Sequence, residues 1–321
     1  MSRPPLPSEF LDRLRQIVGD EHFDSVVASF SEPKRTSFRV NTIRAEPSTV
    51  VDQLRADGLS LDAVPWCDHA FEVALDQREA VTHSQLATDG KIYVQGLSSI
   101  FASLMLDPQP DQWNLDLAAA PGGKASHIAA LMQNEGKLSV VEPIKKRMYR
   151  LADNLKRLGV SISKTYLMDG RKAGQKVPER FDCVLLDAPC SGESRIHTSD
   201  PKSYEFWGPR KIKEQSRKQK GLIESAFKCL KPGGTMIYST CSFAPEENEA
   251  IVAHLIDVAG DEAQLQPIEM PFENWQPGLI SFDDNDSGTN CSIRDASFLT
   301  IDSTVFIWRR SASLNRPAKN L

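Results

Sequence analysis

The chain has 321 residues, 40% of them apolar, with 38 basic against 43 acidic side chains and a net charge of −5. That balance excludes wholesale disorder, collagen-like repeats and a generic polycation for nucleic acid, and no apolar run approaches the roughly 18 residues of a membrane span. The first residues, Met1-Ser-Arg-Pro-Pro-Leu-Pro7, lack the apolar stretch of a signal peptide, so a cytoplasmic protein with no membrane association is expected. Cys67, Cys183, Cys190, Cys229, Cys241 and Cys291 are scattered without a C-x-x-C pair, which predicts neither a metal site nor a disulfide framework.

In chain order, Phe38–Ile43 reads as a strand and Thr49–Asp57 as a helix ending at Gly58. Residues 1–105 are therefore expected to form a small α+β accessory domain. From Trp113 onward strands and helices alternate. Strands are predicted at Trp113–Leu117, Leu138–Val141, Ile162–Leu167, Phe181–Leu186 and Thr235–Ser239. Helices are predicted from Pro121-Gly-Gly123 to Met132, from Pro143 to Leu158 with Gly159 beyond its end, from Pro209 to Leu230, and from Pro245 to Val258. Lys231-Pro-Gly-Gly234 reads as the stop of the long helix, and Asp283-Asp-Asn-Asp286 as a loop. Ser297–Ile301 and Thr304–Trp308 are expected to close the fold as an antiparallel hairpin, within a domain over 106–310 and before a flexible tail over 311–321. Strands joined by helices of this length imply an α/β fold, a doubly wound parallel sheet that binds its ligands at the carboxyl ends of the strands.

Polar residues cluster at those ends. Leu115-Asp-Leu-Ala-Ala-Ala-Pro-Gly-Gly-Lys124 runs from a strand through a glycine turn into a helix, an arrangement that presents backbone amides to a ligand. It is not a phosphate-binding Walker loop, because Ala118 stands at the first glycine position and Ala125 at the hydroxyl position. Glu142, ending the second strand, is placed to accept from ribose hydroxyls, and Asp169, after the third, from an adenine amine. Asp187-Ala-Pro-Cys-Ser-Gly-Glu193 and Ser239-Thr-Cys-Ser242 bring Cys190 and Cys241 to one edge of the sheet. A free thiol is usually a buried packing group, and Cys67, Cys183, Cys229 and Cys291 read that way. Two thiols on one cleft edge beside a cofactor loop do not.

With Gln219, Lys231-Pro-Gly-Gly234, Pro245-Glu-Glu-Asn-Glu249, Ser37-Phe-Arg-Val-Asn-Thr42 and Gln95-Gly-Leu-Ser-Ser99, these motifs make the chain resemble the RNA cytosine-C5 methyltransferases of the Sun/Nol1/Nop2 family over about residues 35–260. Ser194 departs from the common Gly, Gly96 from a common acid, and the usual Gly-Phe-Phe is missing near Thr304–Ile307. The resemblance implies a Rossmann-like class I methyltransferase domain. It implies S-adenosylmethionine as cofactor, held by Ala118, Ala119, Ala120, Pro121, Gly122, Gly123, Lys124, Glu142, Asp169 and Asp187, with Arg147 a further candidate. It also implies Cys241 as nucleophile, Cys190 in release of the adduct and Asp187 at the cytosine edge. The order of the two cysteines rests on the resemblance, since DNA cytosine-C5 enzymes attack with the Pro-Cys thiol instead.

The implied partner is RNA, ribosomal before transfer RNA, and a monomer is expected. The chain is short for the family, so a large additional C-terminal RNA-binding domain is not expected. The RNA path is expected along Lys145, Lys146, Arg147, Arg150, Lys156 and Arg157, along Arg210, Lys211, Lys213, Arg217, Lys218 and Lys220, and at Lys34, Arg35, Arg39 and Arg44. The competing readings are another class I methyltransferase and a ribosome-assembly or RNA-binding factor whose methylation is incidental.

Overall fold

The computed structural model describes residues 5–268, Pro271 and Leu279 with their side chains, and residues 281–284, 289–292 and 304–309 as backbone. The chain opens with helices α1 (Ser8–Val18) and α2 (Asp20–Ser29), strand β1 (Thr36–Val40), helix α3 (Pro47–Ala56) and strands β2 (Asp62–Ala63) and β3 (Ala70–Val73). Short helices α4 (Arg78–Thr82) and α5 (Gln85–Thr88), strand β4 (Ile92–Val94) and helix α6 (Leu97–Met105) follow. The strands form an antiparallel sheet in the order β2-β3-β1-β4. Helix α3 starts at a proline, whose missing N–H costs nothing in a first turn. It buries Val50, Val51 and Leu54 against Phe38, Val40, Val73 and Ile92.

The second half comprises β5 (Trp113–Asp116), α7 (Gly123–Leu131), β6 (Lys137–Glu142), α8 (Lys145–Arg157), β7 (Ser163–Leu167), α9 (Ala173–Lys176) and β8 (Phe181–Asp187). It continues with α10 (Pro209–Cys229), β9 (Leu230–Ser239), α11 (Glu249–Ala259), β10 (Ala263–Gln266), β11 (Ser281–Asp284), β12 (Thr289–Ser292) and β13 (Thr304–Arg309). The sheet order is β10-β13-β9-β8-β5-β6-β7, and β5 to β9 run parallel. Alternation along the strands feeds two cores. Val184 and Leu186 face Leu222, Ile223, Phe227 and Ile251 of α10 and α11, while Cys183 and Leu185 face Ala125, Ile128, Leu151 and Leu155 of α7 and α8. Both faces are thus covered, and the doubly wound sheet expected from the alternation is the one observed. The chain runs outward from β5 to β7 and then restarts at β8 on the other side of β5. The crevice between the carboxyl ends of β5 and β8 is the topological switch point.

The long helix stops ahead of Lys231-Pro-Gly-Gly234 as expected, α10 ending at Cys229, but the strand that follows begins at Leu230 rather than Thr235; that start and two further expectations are corrected. Leu230 pairs with Phe181 and Thr235 with Cys183, and Lys231–Gly234 form the irregularity between those two pairs, with Gly233 at φ +81°. Asp283 and Asp284 lie in β11, paired with Asn290 and Thr289 of β12, rather than in a loop. Phe306–Trp308 of β13 has β9 on one edge and β10 on the other, so no hairpin partner is available there. Ser297–Ile301 and the expected tail lie outside the described residues. Among the described residues, no helix is long and apolar enough to cross a membrane.

Candidate active site

The loop between β5 and α7 is shaped by backbone demands. Gly122 has φ +106°, the left-handed region that favours glycine, and a Cβ there would also sit 3.0 Å from Leu151 Cδ1, a tight contact that the leucine would have to relieve. The Ala120–Pro121 bond is cis. Helix α8 holds the loop from outside: Arg147 Nη2 donates to Ala120 O (3.0 Å) and Asn154 Nδ2 to Pro121 O (2.9 Å). Lys124, in the first turn of α7, donates to Asp187 Oδ2 (2.7 Å) and Ser99 Oγ (3.0 Å), joining the ends of β5 and β8. Asp116 lies beneath this pair. Burial and the neighbouring Asp187 push its carboxyl up to about 7, against the pull of Lys124.

Glu142 is almost fully buried. Its Oε1 accepts from Ile144 N at 2.9 Å, and Arg147 Nη2 approaches Oε2 at 3.5 Å. Asp169 caps the turn after β7 and binds Arg171 in a 2.6 Å ion pair, which holds its carboxyl below the ordinary value. This edge offers acceptors on successive strands and a glycine-shaped loop between them. That donor and acceptor set fits a nucleoside cofactor: a diol for Glu142, an exocyclic amine for Asp169, and the Ala118–Gly123 backbone against the remainder.

The two cysteines meet. Cys190 Sγ lies 3.0 Å from Cys241 Sγ and also accepts from Cys241 N at 3.3 Å. The hydrogen bond to Cys241, then burial, pushes the Cys190 thiol up, so Cys190 keeps its proton near neutral pH. Asp187 Oδ1 accepts from Ser239 Oγ at 3.1 Å, which locks the carboxylate between the cofactor loop and the thiols. Beyond Cys241 opens a pocket of about 400 Å³, lined by Lys34, Ser98, Ser99, Ser194, His197 and Cys241 among others. Lys34 Nζ donates to Ser194 O (3.2 Å), and Ser194 N donates to Cys241 O (3.1 Å).

Arg39 is not an RNA-facing cation. It is fully buried and donates to Gln95 Oε1 (2.9 Å), Ser126 Oγ (2.6 Å) and Gly123 O (3.3 Å), tying the N-terminal sheet to α7. Arg157 is likewise spent on Ala87 O (2.6 Å), while Lys34, Arg35 and Arg44 are exposed. Sequence reasoning also missed His69 and His127, whose Nε2 atoms lie 2.9 Å apart across the same junction. Burial lowers the pKa of both. Two positions 58 residues apart carry no local signal of such a contact. Glu193 and Glu247 were inside the quoted motifs but had no role. Both are buried beside the thiols, and acids at 3% and 0% exposure are the available clue. Cys67, Cys183 and Cys229 are buried, and among the described residues no group of three His, Cys, Asp or Glu is arranged to hold a metal ion.

The description of 16S rRNA methyltransferase RsmB/F matches residues 103–278, more than half of the chain. The chain belongs to the RsmB/F family. The N-terminal domain of 16S rRNA methyltransferase RsmF matches residues 6–97. Ribosomal RNA small subunit methyltransferase F of Vibrio campbellii is 37% identical over 278 residues, covering 85% of this chain and 58% of that protein. The same-named protein of Escherichia coli is 37% identical over 267 residues, covering 82% and 56%. The chain thus spans less than two thirds of the length of these relatives. Among solved structures, a methyltransferase homolog from Pyrococcus horikoshii superposes with TM-score 0.79 at 29% identity, covering 95% of both chains. NSun6 from the same organism, at 22% identity and TM-score 0.75 over 94% of this chain and 97% of that one, shares the fold. All site residues from Lys124 to Cys241 lie within the RsmB/F match, and Lys34 and Arg39 within the RsmF N-terminal match.

Proposed function

We propose that this chain transfers a methyl group from S-adenosylmethionine to C5 of a cytosine in small-subunit ribosomal RNA, through a covalent bond between Cys241 and C6. The observation that carries the reading is the 3.0 Å contact of Cys190 and Cys241 beside the Lys124–Asp187 pair. It is supported by RsmB/F membership and by the printed names of the relatives. The cofactor supplies an electrophilic methyl group. Ala118–Lys124, Glu142, Asp169 and Asp187 are the residues that hold it.

Cytosine C5 is a poor nucleophile. Addition of the Cys241 thiolate to C6 forms an S–C6 bond and pushes electron density to C5, which would take the methyl group as that carbon's bond to the sulfonium sulfur breaks, the electron pair staying on sulfur as a neutral thioether leaves. Loss of the C5 proton to a base restores the C5=C6 bond as the Cys241–C6 bond breaks. The departing thiolate meets the S–H that Cys190 holds toward it. Asp187, three residues before Cys190, presents its carboxylate to the amino edge of the base. A stacked base cannot reach Cys241, so the cytosine is taken single-stranded or flipped, at a cost of a few kcal/mol. The pocket beside Cys241 is the place for it, with Lys34 on the phosphate side. Residues 1–105 serve as the accessory RNA-binding unit and 106–310 as the transferase unit, acting in the cytoplasm.

The test is methyl transfer from labelled cofactor to ribosomal and transfer RNA lacking the modification. Cys241→Ala should be inactive, and Cys190→Ala should accumulate a denaturant-resistant protein–RNA adduct. Activity retained in Cys241→Ala would remove the nucleophile assignment. A folded, RNA-binding wild type without transfer to any RNA would favour the assembly-factor reading.

A further inference from the structure

The loops that carry the thiols are braced by two buried acids, each reaching from one loop into the other. Glu193 follows Cys190 by three residues. Its Oε2 accepts from Ser242 Oγ (3.0 Å), Phe243 N (2.8 Å) and Ala244 N (2.9 Å), the three residues that follow Cys241, and its Oε1 accepts from Trp207 Nε1 (2.8 Å). Glu247 follows Cys241 by six residues and reaches back. It accepts from Ser191 N (2.9 Å), from Ser191 Oγ (2.5 Å) and from Gln219 Nε2 (3.1 Å), which also donates to Pro189 O (3.0 Å). Ser191 and Ser242, each next to a cysteine, touch through their hydroxyls at 2.9 Å.

Every partner of the two carboxylates is a donor. A carboxylate accepts at all its sites, whereas an amide would turn an N–H toward another donor. Burying two acids side by side is costly, and a packing role alone is met more cheaply by apolar residues. The brace instead fixes a distance. With both loops held, Cys190 Sγ stays 3.0 Å from Cys241 Sγ, and Cys190 can deliver its hydrogen bond to a thiolate formed there. Burial pushes Glu247 up to about 7, and its negative charge is one of the contributions that raise the Cys190 thiol.

We propose that Glu193 and Glu247 are positioning residues for methyl transfer, a reciprocal brace that sets the separation of the two reacting thiols. The inference rests on the reading of Cys241 and Cys190 as reacting groups, but its principal test needs neither RNA nor cofactor. The full chain is treated with diamide, and the Cys190–Cys241 disulfide is followed by peptide mapping. Alkylation of Cys241 by iodoacetamide in the Cys190→Ala background, followed across pH, separates the exposure of Cys241 from its thiolate fraction.

In Glu193→Ala and Glu247→Ala the disulfide should form about tenfold more slowly, or less, because proximity is lost, while Cys241 alkylation changes by less than about twofold. Methylation should show kcat lowered about tenfold with KM for RNA within about twofold, and Glu193→Gln, which keeps an acceptor for the backbone N–H groups, should recover part of it. Where an alanine variant fails to fold, the glutamine variants decide. Disulfide rates within about twofold of wild type in every folded variant, or alkylation that rises as the disulfide slows, overturn the brace. A slowed disulfide in a protein that methylates no cytosine leaves the brace standing and removes the proposed reaction.

Discussion

Asp116→Asn should flatten the pH dependence of stability above pH 5. Asp116 lies under the Lys124–Asp187 pair with 1% of its surface exposed, and its Oδ1 accepts from Ala118 N at 3.3 Å. Burial, then Asp187, raises its carboxyl from an ordinary 3.8 to about 7. A raised acid binds its proton more tightly in the folded chain than in the unfolded one. The associated stability is complete below pH 3.8 and is lost as the pH climbs through about 7. At roughly 1.4 kcal/mol per pH unit the whole loss is on the order of 4 kcal/mol, of which about 2–3 kcal/mol falls between pH 5 and pH 8. Asparagine keeps the shape and the acceptor for Ala118 N but does not titrate. Urea unfolding of both proteins at pH 5 and pH 8 measures the difference. Glu247, also raised to about 7, contributes the same slope to both and cancels in the comparison. Wild type should lose about 2–3 kcal/mol relative to the variant across that interval. Equal slopes would refute the reasoning and show that Lys124 keeps Asp116 ionised throughout.

Gly122→Ala places a side chain at φ +106° and 3.0 Å from Leu151 Cδ1, so it should cost about 1–2 kcal/mol and raise KM for the cofactor more than it lowers kcat. Thermal unfolding and steady-state kinetics check both parts. Replacing Arg210, Lys211 and Lys213 together by Gln should weaken RNA binding and reduce the slope of log K against log salt by up to about 2. Filter binding at several salt concentrations reads it, and an unchanged slope takes the start of α10 out of the RNA path.

Much of the fold is legible locally. Apolar strand runs of Phe181–Leu186 type, proline starts and glycine stops mark the alternation, and a parallel sheet must then bring its strand ends to one edge. That places the cofactor loop, Asp187, Cys190 and Cys241 on the same side before any contact is known. Lys231-Pro-Gly-Gly234 shows the limit: it ends the helix as read, yet its place as an irregularity within one strand, between the Leu230–Phe181 and Thr235–Cys183 pairs, depends on β8. Arg39 shows another, since a cation in a polar motif reads as surface until Ser126 and Gly123 close over it.

The order of elements, the doubly wound class and the identity of the chemical groups were thus determined by the sequence alone, because they depend on local periodicity and residue type. The 3.0 Å separation of the thiols, the exchange of Glu193 and Glu247 between loops, the His69–His127 contact and the insertion of β13 beside β9 were decided only by tertiary structure. Each joins residues far apart in the chain, and such pairings follow from how sheets and loops pack, which no local pattern encodes.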